Sequence, residues 1–291
     1  MDKLSIIIPS RDEPYLNKTL EDILKKAIGE IEIFVTIDED WPDKVIKDKR
    51  IIYIHPRKPE GMRAGINNGL TRARGDYIMK CDAHCLFAKG FDETLKKDMQ
   101  ENWLVVPRRY SLHGDWVRDL RMPVKDYHYL SFPQQSKFYG YGMFPQEWKE
   151  RTQERMVGHD IDDTMIMQGS CWFANKDYFM KHVGLLDSTN YSTFSGEQLE
   201  VGLKYWLGGG EIKVNKKTWY AHLFKNLNYY KGKMKNKLYK IDLKSKGGWE
   251  WATKHWINDL EPSMVHPISW LIEKFWPVPG WPEDRSLWKL K

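Results

Sequence analysis

Long apolar runs are missing from these 291 residues. None approaches the roughly 18 consecutive apolar residues that cross a bilayer, so no transmembrane helix is expected. Cysteine is scarce, with Cys81, Cys85 and Cys171 as the whole supply. Three thiols cannot build a disulfide framework, which fits a reducing compartment. Two of them flank His84, but a close pair with its third member far away is a poor structural zinc site. They read as packing residues. The N-terminus lacks the marks of a secretory leader, because its apolar run is short and meets Pro9 and charge. Together these shortages predict a cytoplasmic protein. Internal repeats and low-complexity tracts are absent as well.

What is present supports a folded domain. Hydrophobic residues make up 41% of the chain, enough for a core, which excludes wholesale disorder. The net charge of +6 permits an anionic partner without specifying one. The aromatic share of 14%, with fourteen tryptophans, is unusual.

Leu4 to Ile8 is a β-branched run stopped by Pro9 and reads as a buried strand. Tyr15 to Ala27 carries Leu16, Leu20, Ile23, Leu24 and Ala27 at helical spacing. Ile31 to Ile37 predicts a second strand, Arg50 to His55 a third, and Tyr77 to Cys81 a fourth. Gly61 to Arg74 predicts the helix between the last two. Strands alternating with helices predict an α/β domain with a mostly parallel sheet flanked by helices. In such sheets ligands gather at the carboxyl ends of the strands. Asp12, Asp38 and Asp82 all follow predicted strands. Residues 108–163 show little periodicity and read as loops and short strands, with His159, Asp162 and Asp163 among the loop residues. Gln168 to Ala174 predicts a strand and Phe194 to Leu207 a helix. Glu211 to Val214 and Thr218 to Leu223 predict two closing strands.

Asp82 and His84 are separated by one residue. At an extended strand end both side chains face the same way and can reach one cation. Carboxylate oxygen and imidazole nitrogen together hold a divalent ion, and such an ion neutralises a leaving pyrophosphate. A third ligand must come from elsewhere, and His222, near the end of the last predicted strand, is the candidate. Asp-x-His alone is weak evidence, because a surface acid beside a helix-start histidine looks the same.

The order of short motifs adds to it. Ser5-Ile6-Ile7-Ile8-Pro9 with Arg11-Asp12-Glu13, Phe34-Val35-Thr36-Ile37-Asp38 and Glu60-Gly61-Met62-Arg63-Ala64-Gly65 come first. Lys80-Cys81-Asp82-Ala83-His84-Cys85, Phe194-Ser195-Gly196-Glu197-Gln198-Leu199-Glu200 and Tyr220-Ala221-His222-Leu223-Phe224-Lys225 follow. This series resembles the GT-A-fold nucleotide-sugar glycosyltransferases, above all the polypeptide N-acetylgalactosaminyltransferases, with the family 2 glycosyltransferases behind them. The resemblance spans about residues 4–225. It implies a Rossmann-like GT-A domain and a metal site of Asp82, His84 and His222 holding Mn2+ or Mg2+. It implies that Asp12, Asp38, Arg63 and Lys225 hold the nucleotide of a UDP-sugar or another nucleotide sugar. It also implies that Glu197 lies near the acceptor hydroxyl or the reacting sugar. Lysine at position 225 stands where the family has arginine, and a point charge cannot grip phosphate in a bidentate fork. Gly196-Glu197-Gln198 fits the retaining members better than the paired acids of inverting ones.

Each residue also has a plainer role open to it. Asp38 suits a strand-end turn, Arg63 a solvated helix face, and His222 a buried histidine bonded to a carbonyl. Glu197 suits a helix start, where the dipole favours an acid.

After Phe224 the likeness ends. The sequence divides into a catalytic domain at 1–225 and a basic, Trp-rich C-terminal appendage at 226–291. Residues 225–246 hold eight lysines against Asp242, and half the tryptophans follow residue 247. Lysines interleaved with tyrosines, as at 228–235, can track phosphates and stack bases. A modified base in DNA is therefore placed slightly ahead of a protein, saccharide or glycolipid acceptor. A solvated lysine face beside packed tryptophans explains the same residues. Two rivals differ in kind. A nucleotidyltransferase should carry a glycine-rich phosphate loop, which Ser10-Arg11-Asp12-Glu13 is not. A non-catalytic nucleic-acid-binding protein would keep salt-dependent DNA binding without Asp82 and His84.

Overall fold

The structure is a computed structural model describing residues 2–39, 41–137, 139–192, 196–224 and 243–289. Strands β1 (Leu4–Ser10) and β2 (Ile31–Ile37) are buried along nearly their whole length, as runs covered on both sheet faces must be. They pair in parallel, Ile6 beside Ile33 and Ile8 beside Val35. Helix α1 (Leu16–Lys26) joins them and turns Leu16, Thr19, Leu20 and Ile23 inward. Strand β3 (Ile51–Ile54) lies outside β2. Helix α2 (Met62–Leu70) packs on β1 and β2 and leads to β4 (Tyr77–Cys81), the other parallel neighbour of β1. A Cβ at Gly69 would stand 2.5 Å from the Ile7 side chain, so this helix needs glycine to lie so close.

The chain continues through β5 (Cys85–Phe87), α3 (Phe91–Lys97), β6 (Trp103–Leu112) and β7 (Arg118–Asp119). Short strands β8 (His128–Leu130), β9 (Gln134–Ser136), β10 (Gly140–Gly142) and β11 (Pro145–Glu147) follow, then α4 (Lys149–Glu154) and β12 (Ile161–Asp163). Next come β13 (Cys171–Asn175), α5 (Lys176–His182), α6 (Glu197–Leu207) and β14 (Glu211–His222). Helices α7 (Leu243–Ile257) and α8 (Ile268–Lys274) end the series. The main sheet runs β12-β14-β6-β13-β4-β1-β2-β3, with β5 beside β14 and β7 beside β6.

The sheet is mixed, where the alternation of elements predicts a mostly parallel one. β13 is antiparallel to β4 and β6, and β14 is antiparallel to β12 and β5. β14 is parallel to β6, so β5, β12 and β13 run against the direction shared by β1, β2, β3, β4, β6 and β14. The ten-residue β6 carries its second half into the stretch 108–163 that reads as loops and short strands. Its outer half is polar because Arg108 to Ser111 pair with the end of β14 instead of closing the core. The two closing strands are one strand, β14, whose register against β6 shifts between Asn215 and Trp219. That irregularity lets half-exposed Lys216 and exposed Lys217 interrupt an otherwise apolar pattern.

The Trp-rich segment joins the main core. Trp249, Trp256, Trp281 and Trp288 belong to the same hydrophobic cluster as β1, β4 and β13. Trp256 Nε1 donates to the Tyr191 hydroxyl at 2.6 Å, and Trp281 Nε1 to the Leu130 carbonyl at 2.7 Å. Among the described residues no helix is long and apolar enough to cross a membrane.

Candidate active site

β4 and β14 reach the same sheet edge with their carboxyl ends, and β5 runs back beside β14. The turn Asp82-Ala83-His84 lies between β4 and β5 and is held from three sides. Asp82 N donates to the Ser170 carbonyl at 2.9 Å, and Leu223 N to the His84 carbonyl at 3.2 Å. Cys85 N donates to Thr19 Oγ1 of α1 at 3.0 Å. The turn therefore meets the last residues of β14. Ligand atoms of Asp82, His84 and His222 all lie within 4.8 Å of one another, the single such group among the described residues. His222 Nε2 is 3.1 Å from Asp82 Oδ2, and His84 Nε2 is 3.9 Å from the same oxygen.

Each member is in a state suited to ligation. Burial pushes the Asp82 carboxyl up, but Lys80 and His222 beside it hold it well below the usual carboxylate range. Burial pushes the His222 imidazole down to about 4 despite Asp82, so it is neutral at pH 7. His84 Nδ1 lies 3.0 Å from Glu13 Oε2, which orients the ring and leaves Nε2 facing the group. One carboxylate oxygen and two imidazole nitrogens suit a divalent first-row transition ion better than Mg2+, which prefers oxygen alone.

Behind Asp82 stands a residue that spacing does not single out. Lys80 is buried in β4, two residues before Asp82 and on the same face. Its Nζ donates to Asp82 Oδ1 at 2.8 Å, to Glu197 Oε2 at 3.3 Å and to the Gly169 carbonyl. Glu197 is the first residue of α6 and is 2% exposed. Its other oxygen accepts Trp172 Nε1 at 2.7 Å. Both oxygens are thus engaged inside the protein. The available signal is a lysine inside an apolar strand, since a buried ammonium requires buried partners.

The expected nucleotide residues scatter more widely. Asp12 is exposed, with φ +46°. Asp38 is buried at the end of β2 and accepts Glu60 N at 2.6 Å, Gly61 N at 3.0 Å and Arg11 Nε at 2.9 Å. It ties the loop before α2 to Arg11, so Arg11 is the cation at that edge. Arg63 is fully buried and faces away from solvent. Its guanidinium pairs with Glu200, donates to the Asp187 carbonyl at 2.9 Å and lies 4.5 Å from the Tyr191 ring centroid. A guanidinium so enclosed anchors α2 to α6. Lys225, with Phe194 and Ser195, lies outside the described residues. Burial pushes the thiols of Cys81, Cys85 and Cys171 up, consistent with packing roles.

Another cation joins from β6. Arg109 is buried, donates to Gln168 Oε1 at 2.7 Å and lies 5.0 Å from the ring centroid of Phe224, two residues after His222.

An acid-and-histidine group at the carboxyl edge of a Rossmann-like mixed sheet is the architecture of the GT-A class. The crystal structure of GalNAc-T7 with UDP, GalNAc and Mn2+ shares this fold. The TM-score is 0.61 at 15% identity, over 94% of this chain and 57% of that one. The chain belongs to glycosyl transferase family 2, whose profile matches residues 5–183. Among curated relatives, the probable N-acetylgalactosaminyltransferase 9 of Caenorhabditis elegans is 24% identical, covering 77% of this chain and 40% of its own length. The polypeptide N-acetylgalactosaminyltransferase 3 of Drosophila melanogaster is 22% identical, covering 100% of this chain and 44% of its own length. The chain thus spans less than half of either relative.

Proposed function

We propose that this protein is a metal-assisted glycosyltransferase that moves a sugar from a UDP-sugar to an acceptor hydroxyl. The observation that carries the proposal is the meeting of Asp82, His84 and His222 at the carboxyl edge of the sheet. These residues would hold a divalent ion, Mn2+ by preference, that offsets charge on the departing nucleotide diphosphate. Asp82 supplies Oδ2, His84 supplies Nε2 with its other nitrogen on Glu13, and His222 supplies Nε2 as a neutral ring. Arg11 and Asp38 border the nucleotide side, with Asp12 and Lys225 as further candidates there.

Retention of anomeric configuration is part of the proposal. Glu197, with both oxygens engaged, is poorly placed to accept a proton as a general base. The catalytic unit is assigned to residues 1–225. Residues 226–291 are assigned to supporting that unit, because the tail tryptophans pack in its core. The acceptor is assigned only as a hydroxyl. Protein is the class suggested by the names of the relatives, and a hydroxymethylated DNA base by the lysine and tyrosine run at 228–235.

The test is hydrolysis of UDP-, GDP- and TDP-sugars by the full chain with Mn2+ or with EDTA, alongside His222→Ala. Expected are Mn2+-dependent release of UDP and its loss in the variant. A wild-type protein that neither binds nor cleaves any sugar nucleotide with metal present would end this reading. Transfer is then scored on peptide and on hydroxymethylated DNA, and the anomeric configuration of the product is read by NMR.

A further inference from the structure

Lys80 is saturated as a donor. An ammonium has three N–H groups, and Lys80 spends them on Asp82 Oδ1, Glu197 Oε2 and the Gly169 carbonyl. The cluster is closed from behind by Trp172 on the second Glu197 oxygen. Its parts come from β4, β13, α6 and the turn before β13, so the rigid sheet fixes it. Asp82 is consequently divided: Oδ1 faces the buried ammonium, while Oδ2 faces His222 and His84.

From this division we infer that Lys80 is a positioning residue that limits Asp82 to one ligand oxygen and holds down the free site's affinity for a divalent cation. The inference rests on the metal-assisted reading above. An ion on Oδ2 meets a fixed positive charge across one carboxylate, and the second oxygen cannot turn to chelate it. The repulsion is Coulombic, and the partly dry site screens it less than water would. Glu197 works in the opposite sense by drawing the ammonium away from Asp82. The cation is then taken up chiefly together with the anionic diphosphate of the donor, which supplies the missing negative charge. Binding of metal and of UDP are therefore strongly coupled.

The test measures Mn2+ binding to the full chain by the loss of the free-ion EPR signal, with and without UDP. Lys80→Met keeps the unbranched apolar stem and removes the charged terminal atom. It should bind Mn2+ without UDP at least about tenfold tighter than wild type, because a unit charge beside the ligand is removed. The gain from adding UDP should shrink, and donor turnover should fall as Asp82 loses its fixed geometry. A residue needed merely for packing gives the reverse, weaker binding. A folded Lys80→Met with equal or weaker Mn2+ affinity overturns the inference. Glu197→Gln, which leaves the packing shape intact, should weaken Mn2+ binding without UDP by about tenfold on the same argument. Unchanged affinity there also overturns it, so the inference remains testable even if Lys80→Met fails to fold. If wild type binds no Mn2+ even with UDP, the metal-assisted reading falls and takes this one with it. If wild type binds and His222→Ala does not, the reading stands and Lys80→Met and Glu197→Gln decide the inference.

Discussion

Arg63 is the residue whose two readings can be separated most sharply. The resemblance assigns it to the nucleotide, whereas the structure encloses it between α2 and α6 with no exposed surface. Its guanidinium faces Glu200, the Asp187 carbonyl and the Tyr191 ring. Removing one member of a buried pair strands the other, at a cost of roughly 3–5 kcal/mol. The two removals are not equal here. Glu200 keeps Lys204 Nζ at 2.8 Å and the Asp187 N–H at 3.2 Å when Arg63 is gone. Arg63→Met should therefore cost less, about 2–3 kcal/mol, since a charged acceptor retains partners. Glu200→Leu removes the carboxylate that pairs with a fully buried guanidinium, and should cost about 4–5 kcal/mol. For a chain of this size, that larger loss lowers the melting temperature on the order of 10 °C. The double variant Arg63→Met/Glu200→Leu should recover much of it, because an apolar pair of similar volume replaces the charges. Denaturant unfolding of the four proteins gives the cycle, and donor KM is measured on each folded variant. KM should stay within about twofold of wild type, as expected of a group that does not touch the donor. A stably folded Arg63→Met with KM raised tenfold would refute the structural assignment and return Arg63 to the nucleotide.

Glu32 is a buried residue of β2 beside Ser5 of β1, with Ser5 Oγ donating to it at 2.7 Å and Arg74 Nη2 at 2.7 Å. Burial pushes its carboxyl up, yet Ser5, Arg74 and Lys3 outweigh this and bring it down to about 2 from 4.5. A depressed folded value means that the stabilisation is present above the unfolded pKa and lost as pH falls. Glu32→Gln should thus be about 2–3 kcal/mol less stable than wild type at pH 7, with the gap closing between pH 4.5 and 2. Urea melts across that range check it, and a constant gap contradicts it. Gly196 stands before Glu197 at φ +68°, where a Cβ would come within 2.5 Å of the Tyr191 ring. Gly196→Ala should cost about 1–3 kcal/mol from backbone strain and crowding, read as a lower melting temperature. Trp256→Phe leaves the Tyr191 hydroxyl without its indole donor and should cost about 1–3 kcal/mol in the same assay. Unchanged melting would show that this contact does not hold α7 to the core.

How much of this is legible in sequence depends on how far apart the cooperating residues lie. β1, β2 and β4 are apolar runs, and their parallel pairing follows from the helices between them. Asp82 and His84 are two residues apart, so strand geometry alone aligns them. His222 is 140 residues from Asp82, and only the order of motifs points to it. Long-range pairing of polar strand segments leaves weaker marks. The outer half of β6 reads as loops and short strands because its arginines, tyrosine and serine interrupt the apolar pattern. β14 reads as two strands because two lysines interrupt it at the register shift.

The network behind the triad is the part that no spacing rule reaches. The partners of Lys80 at Gly169 and Glu197 are 89 and 117 residues away. A motif search sees Lys80 as one more charged neighbour of Asp82, and sees Glu197 as a residue awaiting an acceptor. Burial changes both meanings. An ammonium cannot remain inside an apolar strand without acceptors, so its presence there already requires two or three oxygens nearby. One of those oxygens is on Asp82, a metal-ligand candidate. The same lysine that is costly to bury is therefore placed beside the charge of the site, with Glu197 as its second carboxylate. The cation behind the Asp82 carboxylate has an effect that is measurable in metal binding before any acceptor is known.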